Sequence, residues 1–197
     1  MQSTPSPVRT GPFEVRWHGR GGQGVVTAAE LLSEAAFDEG RYAQAFPSFG
    51  SERTGAPVVA YCRISSTPIR TREPVVEPHA LVIQDATLLH QVDVFAGLRP
   101  DGWVLINSVR TPHELGLDSL EAGHMLTVAA SDLALQHVGR AMPNAALLGA
   151  LAALTGIVHL DAVIIAIRAK FPPAVAEGNV AAARAAHDLL TTRAGVS

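Results

Sequence analysis

Gly19-Arg20-Gly21-Gly22-Gln23-Gly24 fits the pattern G-x-G-x-x-G. A run of this kind can hold a phosphate. Glycine lets the backbone approach an anion closely, and the free N–H groups that open a following helix point at it. Arg20 could add a charge-assisted bond. The dinucleotide form of the motif also needs an acidic residue at the end of the second strand, for the ribose. Here Asp38 and Glu39 precede that strand, which ends at Ala45-Phe46-Pro47. NAD or FAD binding is therefore disfavoured. A tight strand-to-helix turn, with glycine needed only for packing, is the competing reading.

A second segment runs Phe46-Pro47-Ser48-Phe49-Gly50-Ser51-Glu52-Arg53-Thr54-Gly55-Ala56-Pro57. It places two aromatics, an acid–base pair and two glycines between strands. In a parallel sheet it leaves from the same edge as the glycine loop. Ser48 and Arg53 could then touch a bound group or a partner. The plainer alternative is a solvated loop with a local Glu52–Arg53 contact. Elsewhere the residues give little chemistry. The 8 histidines fall in no H-x-x-x-H or H-E-x-x-H spacing, so no metal site is expected. His18, beside the glycine loop, reads first as a partly buried strand residue. Cys62 lies mid-strand and no G-x-S-x-G elbow exists, so no catalytic nucleophile is assigned. Asp85 ends a buried strand, where it can serve a ligand or cap the next helix.

These groups need a scaffold, and the hydrophobic pattern supplies one. Phe13–His18 alternates like a first strand, and Val25–Ala36 reads as a helix stopped near Gly40. Strands follow at Tyr42–Phe46, Val58–Ile64, Ala80–Gln84, Trp103–Asn107 and Met125–Ala129. Helices are expected over Leu88–Leu98, after Ser131, after Asn144, over Ala162–Lys170 and over Ala174–Thr191. Ser131, Asn144 and Asp161 are the expected caps. The alternation predicts a three-layer α/β/α fold with a mainly parallel sheet, a Rossmann-like N-terminal half and a helical C-terminal end. Residues 13–193 read as one domain. Residues 1–12, polar and Pro-rich, read as a flexible arm rather than a signal peptide.

Of the 197 residues 48% are apolar and 17% charged, a balance that suits a large core and a partner-facing surface. The net charge of −3 argues against bulk attraction to nucleic acid. Residues 1–72 carry a net +2 and residues 73–197 a net −5, so the slight basic excess lies with the glycine loop. The one cysteine excludes an internal disulfide and an all-Cys iron–sulfur or zinc site, and fits a reducing compartment. The apolar run Ala145–Leu154 is too short to span a bilayer and reads as a buried helix.

Taken together, Arg20–Gly24 and Ala45–Val58 resemble the gamma subunit of pyruvate:ferredoxin oxidoreductase and related 2-oxoacid:acceptor oxidoreductases. So do Ile83–Leu89, Leu98-Arg99-Pro100-Asp101-Gly102 and Pro143–Ala150. The likeness covers about residues 13–190. It implies a cytoplasmic complex with alpha, beta and delta-type subunits, or a fused equivalent, that decarboxylates a 2-oxoacid and passes electrons to ferredoxin. Thiamine diphosphate, Mg and the iron–sulfur clusters would belong to the partner subunits. This chain has no Gly-Asp-Gly thiamine motif. The gamma part would lie on the coenzyme A side, with Arg20, Gly21, Gly22, Gln23, Gly24, Ser48 and Arg53 lining that edge. The second segment follows the pyruvate and 2-oxoglutarate type rather than the indolepyruvate type. Two rivals stay open: a stand-alone Rossmann-type nucleotide-binding oxidoreductase, and a scaffold whose loop only packs.

Overall fold

The structure is a computed structural model and describes residues 11–48, 54–118 and 124–194. Its centre is a six-stranded sheet in the order β2-β3-β1-β4-β5-β6. The strands are β1 (Phe13–Arg20), β2 (Tyr42–Pro47), β3 (Pro57–Ser65), β4 (Ala80–Ile83), β5 (Trp103–Asn107) and β6 (His124–Val128). The β1-β4-β5-β6 ladder is parallel. Only β3 runs against the rest, pairing antiparallel with both β1 and β2. The mainly parallel α/β fold expected from the sequence is observed. Because β2 points the same way as β1, its end does return to the glycine-loop edge.

Successive side chains of a strand face opposite sides, and here the two sides are built differently. Val15, Trp17, Ala80, Val82 and Leu105 face a large core. Over it lie α1 (Val25–Asp38), α2 (Ala130–Val138), α3 (Asn144–Thr155), α4 (Leu160–Lys170) and α5 (Pro173–Ala194). Asn144–Ala152 of α3 is buried throughout, as its unbroken Ala/Leu composition requires. Leu81, Ile83, Val104 and Ile106 face the other side and meet Leu88, Val94 and Leu115.

That second side holds the main correction. No α-helix covers Leu88–Leu98. A 3-10 turn, Ala86–His90, is followed by irregular chain. The cause is tertiary. Arg16 projects from β1 into this layer, where its Nη2 donates to the carbonyls of Val94 (3.0 Å) and Ala96 (2.6 Å) and its Nη1 to that of Val75 (3.4 Å). The Val94 carbonyl would otherwise be available to a helix ladder, as acceptor for the Leu98 N–H. Gly97 adopts φ +70°, which also ends helical geometry.

The caps differ as well. Ser131 does not cap α2. Asn107, at the end of β5, accepts from the Ser131 N–H (3.1 Å), while its amide donates to the Ser131 hydroxyl (2.8 Å) and the Gln84 carbonyl (2.9 Å). Asn144 accepts only from the next N–H, Ala145 (2.9 Å). Asp161 lies inside the first turn of α4, and Glu39, at the end of α1, takes the His159 N–H (2.6 Å) in its place. A short local motif signals that a helix begins. Which side chain meets its free N–H groups is decided by packing.

Candidate functional site

The glycine loop joins β1 to α1 at the C-terminal edge of the sheet, beside the return from β2 to β3. Gly21 bridges Thr54. Its N–H donates to the Ala56 carbonyl (2.9 Å), and its carbonyl accepts from the Gly55 N–H (3.1 Å). Gly24 immediately precedes α1 with φ 74°, a conformation that disfavours any side chain. A Cβ placed there would lie 2.9 Å from Asn144 Nδ2. No side chain caps α1 and no acid occupies its first turn. Its opening N–H groups therefore face a cavity of about 300 Å³, lined by Arg20, Gly21, Gly22, Gly24, Thr27 and Thr54 among others. Donors at a helix N-terminus suit an anionic oxygen.

Arg20 and Asp85 tie the edge together. Arg20 Nε donates to Asp85 Oδ2 (3.0 Å) and its Nη1 to the Gly55 carbonyl (3.0 Å). Its Nη2 donates to Thr87 Oγ1 (2.7 Å) and Gln91 Oε1 (2.8 Å). Asp85 also accepts from Gln23 Nε2 (2.9 Å) and caps the 3-10 turn through the Thr87 N–H (3.0 Å). Partial burial works against the Asp85 charge. The hydrogen bonds from Thr87 and Gln23, with the Arg20 charge behind them, nevertheless hold its carboxyl below the usual range. Asp85 thus caps its turn and fixes Arg20.

Of the expected site residues, Arg20, Gly21, Gly22 and Gly24 line the cavity. Gln23 turns inward, with Oε1 on the Arg20 N–H (2.8 Å) and its carbonyl taking the Gln84 amide. Ser48 stands just past β2, its N–H donating to the Val59 carbonyl (2.8 Å). Arg53 lies outside the described residues. Thr54 and Asn144 were missed as site residues. Asn144 carried a signal, read as a cap, while nothing distinguished Thr54 from its neighbours.

The remaining candidates are structural. Burial, then the adjacent Arg16 charge, lower the His18 pKa to about 4. Burial pushes the Cys62 thiol well above its ordinary value, so it is neither a ready nucleophile nor a ready ligand. Glu39 is engaged by Arg41 and His159, which removes it as a ribose acceptor. Among the described residues, no group of three His, Cys, Asp or Glu side chains could hold a metal ion. No described helix is long and apolar enough to cross a membrane. The edge presents backbone N–H donors and a fixed arginine, and its described side chains offer no nucleophile poised for group transfer.

The model of the family described as pyruvate ferredoxin/flavodoxin oxidoreductase matches residues 14–189. The chain is 46% identical over 176 residues to pyruvate synthase subunit PorC of Methanothermobacter marburgensis, covering 89% of this chain and 96% of that one. It is also 46% identical over 178 residues to the pyruvate/ketoisovalerate oxidoreductases common subunit gamma of Pyrococcus abyssi, again covering 89% and 96%. The crystal structure of pyruvate oxidoreductase subunit PORC from Thermotoga maritima superposes with a TM-score of 0.78 at 39% identity, over 91% of this chain and 97% of that one.

Proposed function

The chain belongs to the pyruvate ferredoxin/flavodoxin oxidoreductase family, and from that premise we propose that it is the gamma subunit of a multi-subunit, thiamine diphosphate-dependent 2-oxoacid:ferredoxin oxidoreductase. The complex converts pyruvate or another 2-oxoacid to an acyl-coenzyme A. This chain contributes to assembly and to the coenzyme A side of the active site. Thiamine diphosphate, Mg and the clusters reside on partner subunits of alpha, beta and delta type, and ferredoxin receives the electrons.

The observation that carries the coenzyme A reading is the uncapped start of α1 behind Gly22 and Gly24, open to a cavity. Coenzyme A is the thiol that accepts the acyl group, and its phosphates match such a set of backbone donors. Gly21–Gly24 would approach them, and Arg20 would supply positive potential while locked in place by Asp85. Ser48 and Arg53 extend the same edge.

The scaffold reading has one observation in its favour. Every outward nitrogen of Arg20 already has a partner within the chain. The two readings separate in the purified complex. With Arg20→Ala and, independently, Arg53→Ala, the apparent KM for coenzyme A should rise about tenfold while the subunits still co-purify. An unchanged KM in both variants, or loss of the complex alone, assigns the edge to packing.

A further inference from the structure

β2 is an outer strand of the sheet, bonded on one side only, to β3. The Ser48 N–H donates to the Val59 carbonyl (2.8 Å), which fixes the alternation of this antiparallel ladder. Tyr42, Gln44 and Phe46 turn their backbone groups towards β3. Ala43 and Ala45 turn theirs outward, and their N–H groups have no partner among the described residues. Natural edges are usually guarded by charges, prolines or bulges. β2 is uncharged, its register is unbroken, and its one proline, Pro47, comes last.

Beside that edge, between α1 and α4, lies a hollow of about 340 Å³. Ala43, Ala166, Ala169 and the largely exposed Phe37 give it apolar walls, and Glu34 and Asp38 give it an acidic rim. The acid is in surplus. Lys170 serves Glu30 at 2.9 Å and only approaches Glu34 at 3.9 Å. Asp38 forms no ion pair among the described residues, and the last turn of α1 contains no basic residue. A cation near the C-terminal end of a helix is favoured.

We propose that this edge docks an extended segment of a partner subunit, which adds as a strand beside β2 and seats an arginine or lysine in the hollow. Main-chain pairing with Ala43 and Ala45 supplies affinity, and the hollow selects the side chain. Ala43 faces the helix side of the sheet, and a residue set opposite it shares that face. Its side chain therefore enters the hollow. A long aliphatic stem suits the alanine and Phe37 walls, and a cationic head suits the two acids and the helix end. A second copy of this chain would bring like charges together across a two-fold axis, which disfavours it as the occupant. That the segment belongs to the same complex rests on the function proposed above.

The test compares the chain alone with the purified complex. Amide exchange at Ala43 and Ala45 should be about a hundredfold slower in the complex. Ala45→Pro deletes an outward N–H and leaves every bond to β3, and Asp38→Lys reverses a charge at an exposed position. Co-expressed with a differently tagged wild-type chain, each variant should enter the complex about tenfold less often, with the urea midpoint of the chain alone unchanged. Should Ala45→Pro lower that midpoint, Asp38→Lys decides. The native Cys62 is buried, so Asp38→Cys can carry a short photoreactive crosslinker selectively. It should capture an arginine- or lysine-bearing stretch of a partner subunit. Unchanged exchange on assembly, equal incorporation of Asp38→Lys, or capture of a second copy of this chain would each overturn the proposal. If an active complex forms while the edge stays open, docking fails and the proposed function stands. If wild type enters no complex, both fail.

Discussion

His18 shares the second face of β1 with Arg16, whose Nε donates to its Nε2 at 3.0 Å. A neutral imidazole can accept that bond and an imidazolium cannot. The folded pKa of about 4 lies below the unfolded value of 6.5, so the unfolded chain binds more protons between them. Stability from this residue is complete above the unfolded value and is lost as pH falls from there towards the folded one, by roughly 3 kcal/mol in all. Urea unfolding from pH 7.5 down to pH 5 should therefore show wild type losing stability faster than His18→Gln, by up to about 1.4 kcal/mol per pH unit. Parallel losses in the two proteins would refute the assignment. At this scale the sequence was informative about residue type and silent about partners. It marked Gly24, Arg20 and Asp85. That Arg20 binds Asp85, 65 positions away, depends on β1 and β4 being neighbours in the sheet, which no local pattern states.

At the scale of elements, α3 and α5 meet more closely than ordinary helices. A Cβ on Gly149 would stand 2.1 Å from the Ala183 carbonyl oxygen. Backbone cannot yield that far, so Gly149→Ala should overpack the contact by about 3 kcal/mol, partly offset by about 1 kcal/mol of helix propensity. The unfolding free energy should fall by the net amount of roughly 2 kcal/mol, seen as a lower urea midpoint with its slope unchanged; an unchanged or raised midpoint would show that the helices can move apart. Elements with a continuous apolar run were legible. Trp103–Asn107 is a strand as read, and the Ala145–Leu154 run does fall within a buried helix. Leu88–Leu98 was misread because its helical spacing is genuine, while the competitor for its carbonyls, Arg16, comes from a strand over 70 residues earlier.

At the scale of the molecule, the sheet is covered unequally. One face carries five helices, and the other carries a 3-10 turn and irregular chain pinned by one buried arginine. Few backbone bonds hold such a layer, so it should open first. Amide exchange of residues 74–78 and 91–99 should be faster than that of α3, and Arg16→Leu should accelerate it selectively by leaving three carbonyls without their donor. Equal exchange on both faces would contradict this. The parallel order was readable from alternating strands and helices, and the excess of apolar over charged residues suited a chain made to be covered. Large apolar groups do remain exposed, Phe37 at 73% and Val109 at 75%. The reversed direction of β3 was not readable, because a buried strand looks alike in either direction.

Arg20 gathers partners that are 35, 65, 67 and 71 positions distant along the chain. Contacts that close loops of that length are entropically disfavoured early in folding and form once the sheet is in place. The bonds of the edge should then form late, and should act on the time the native state survives more than on the time needed to reach it.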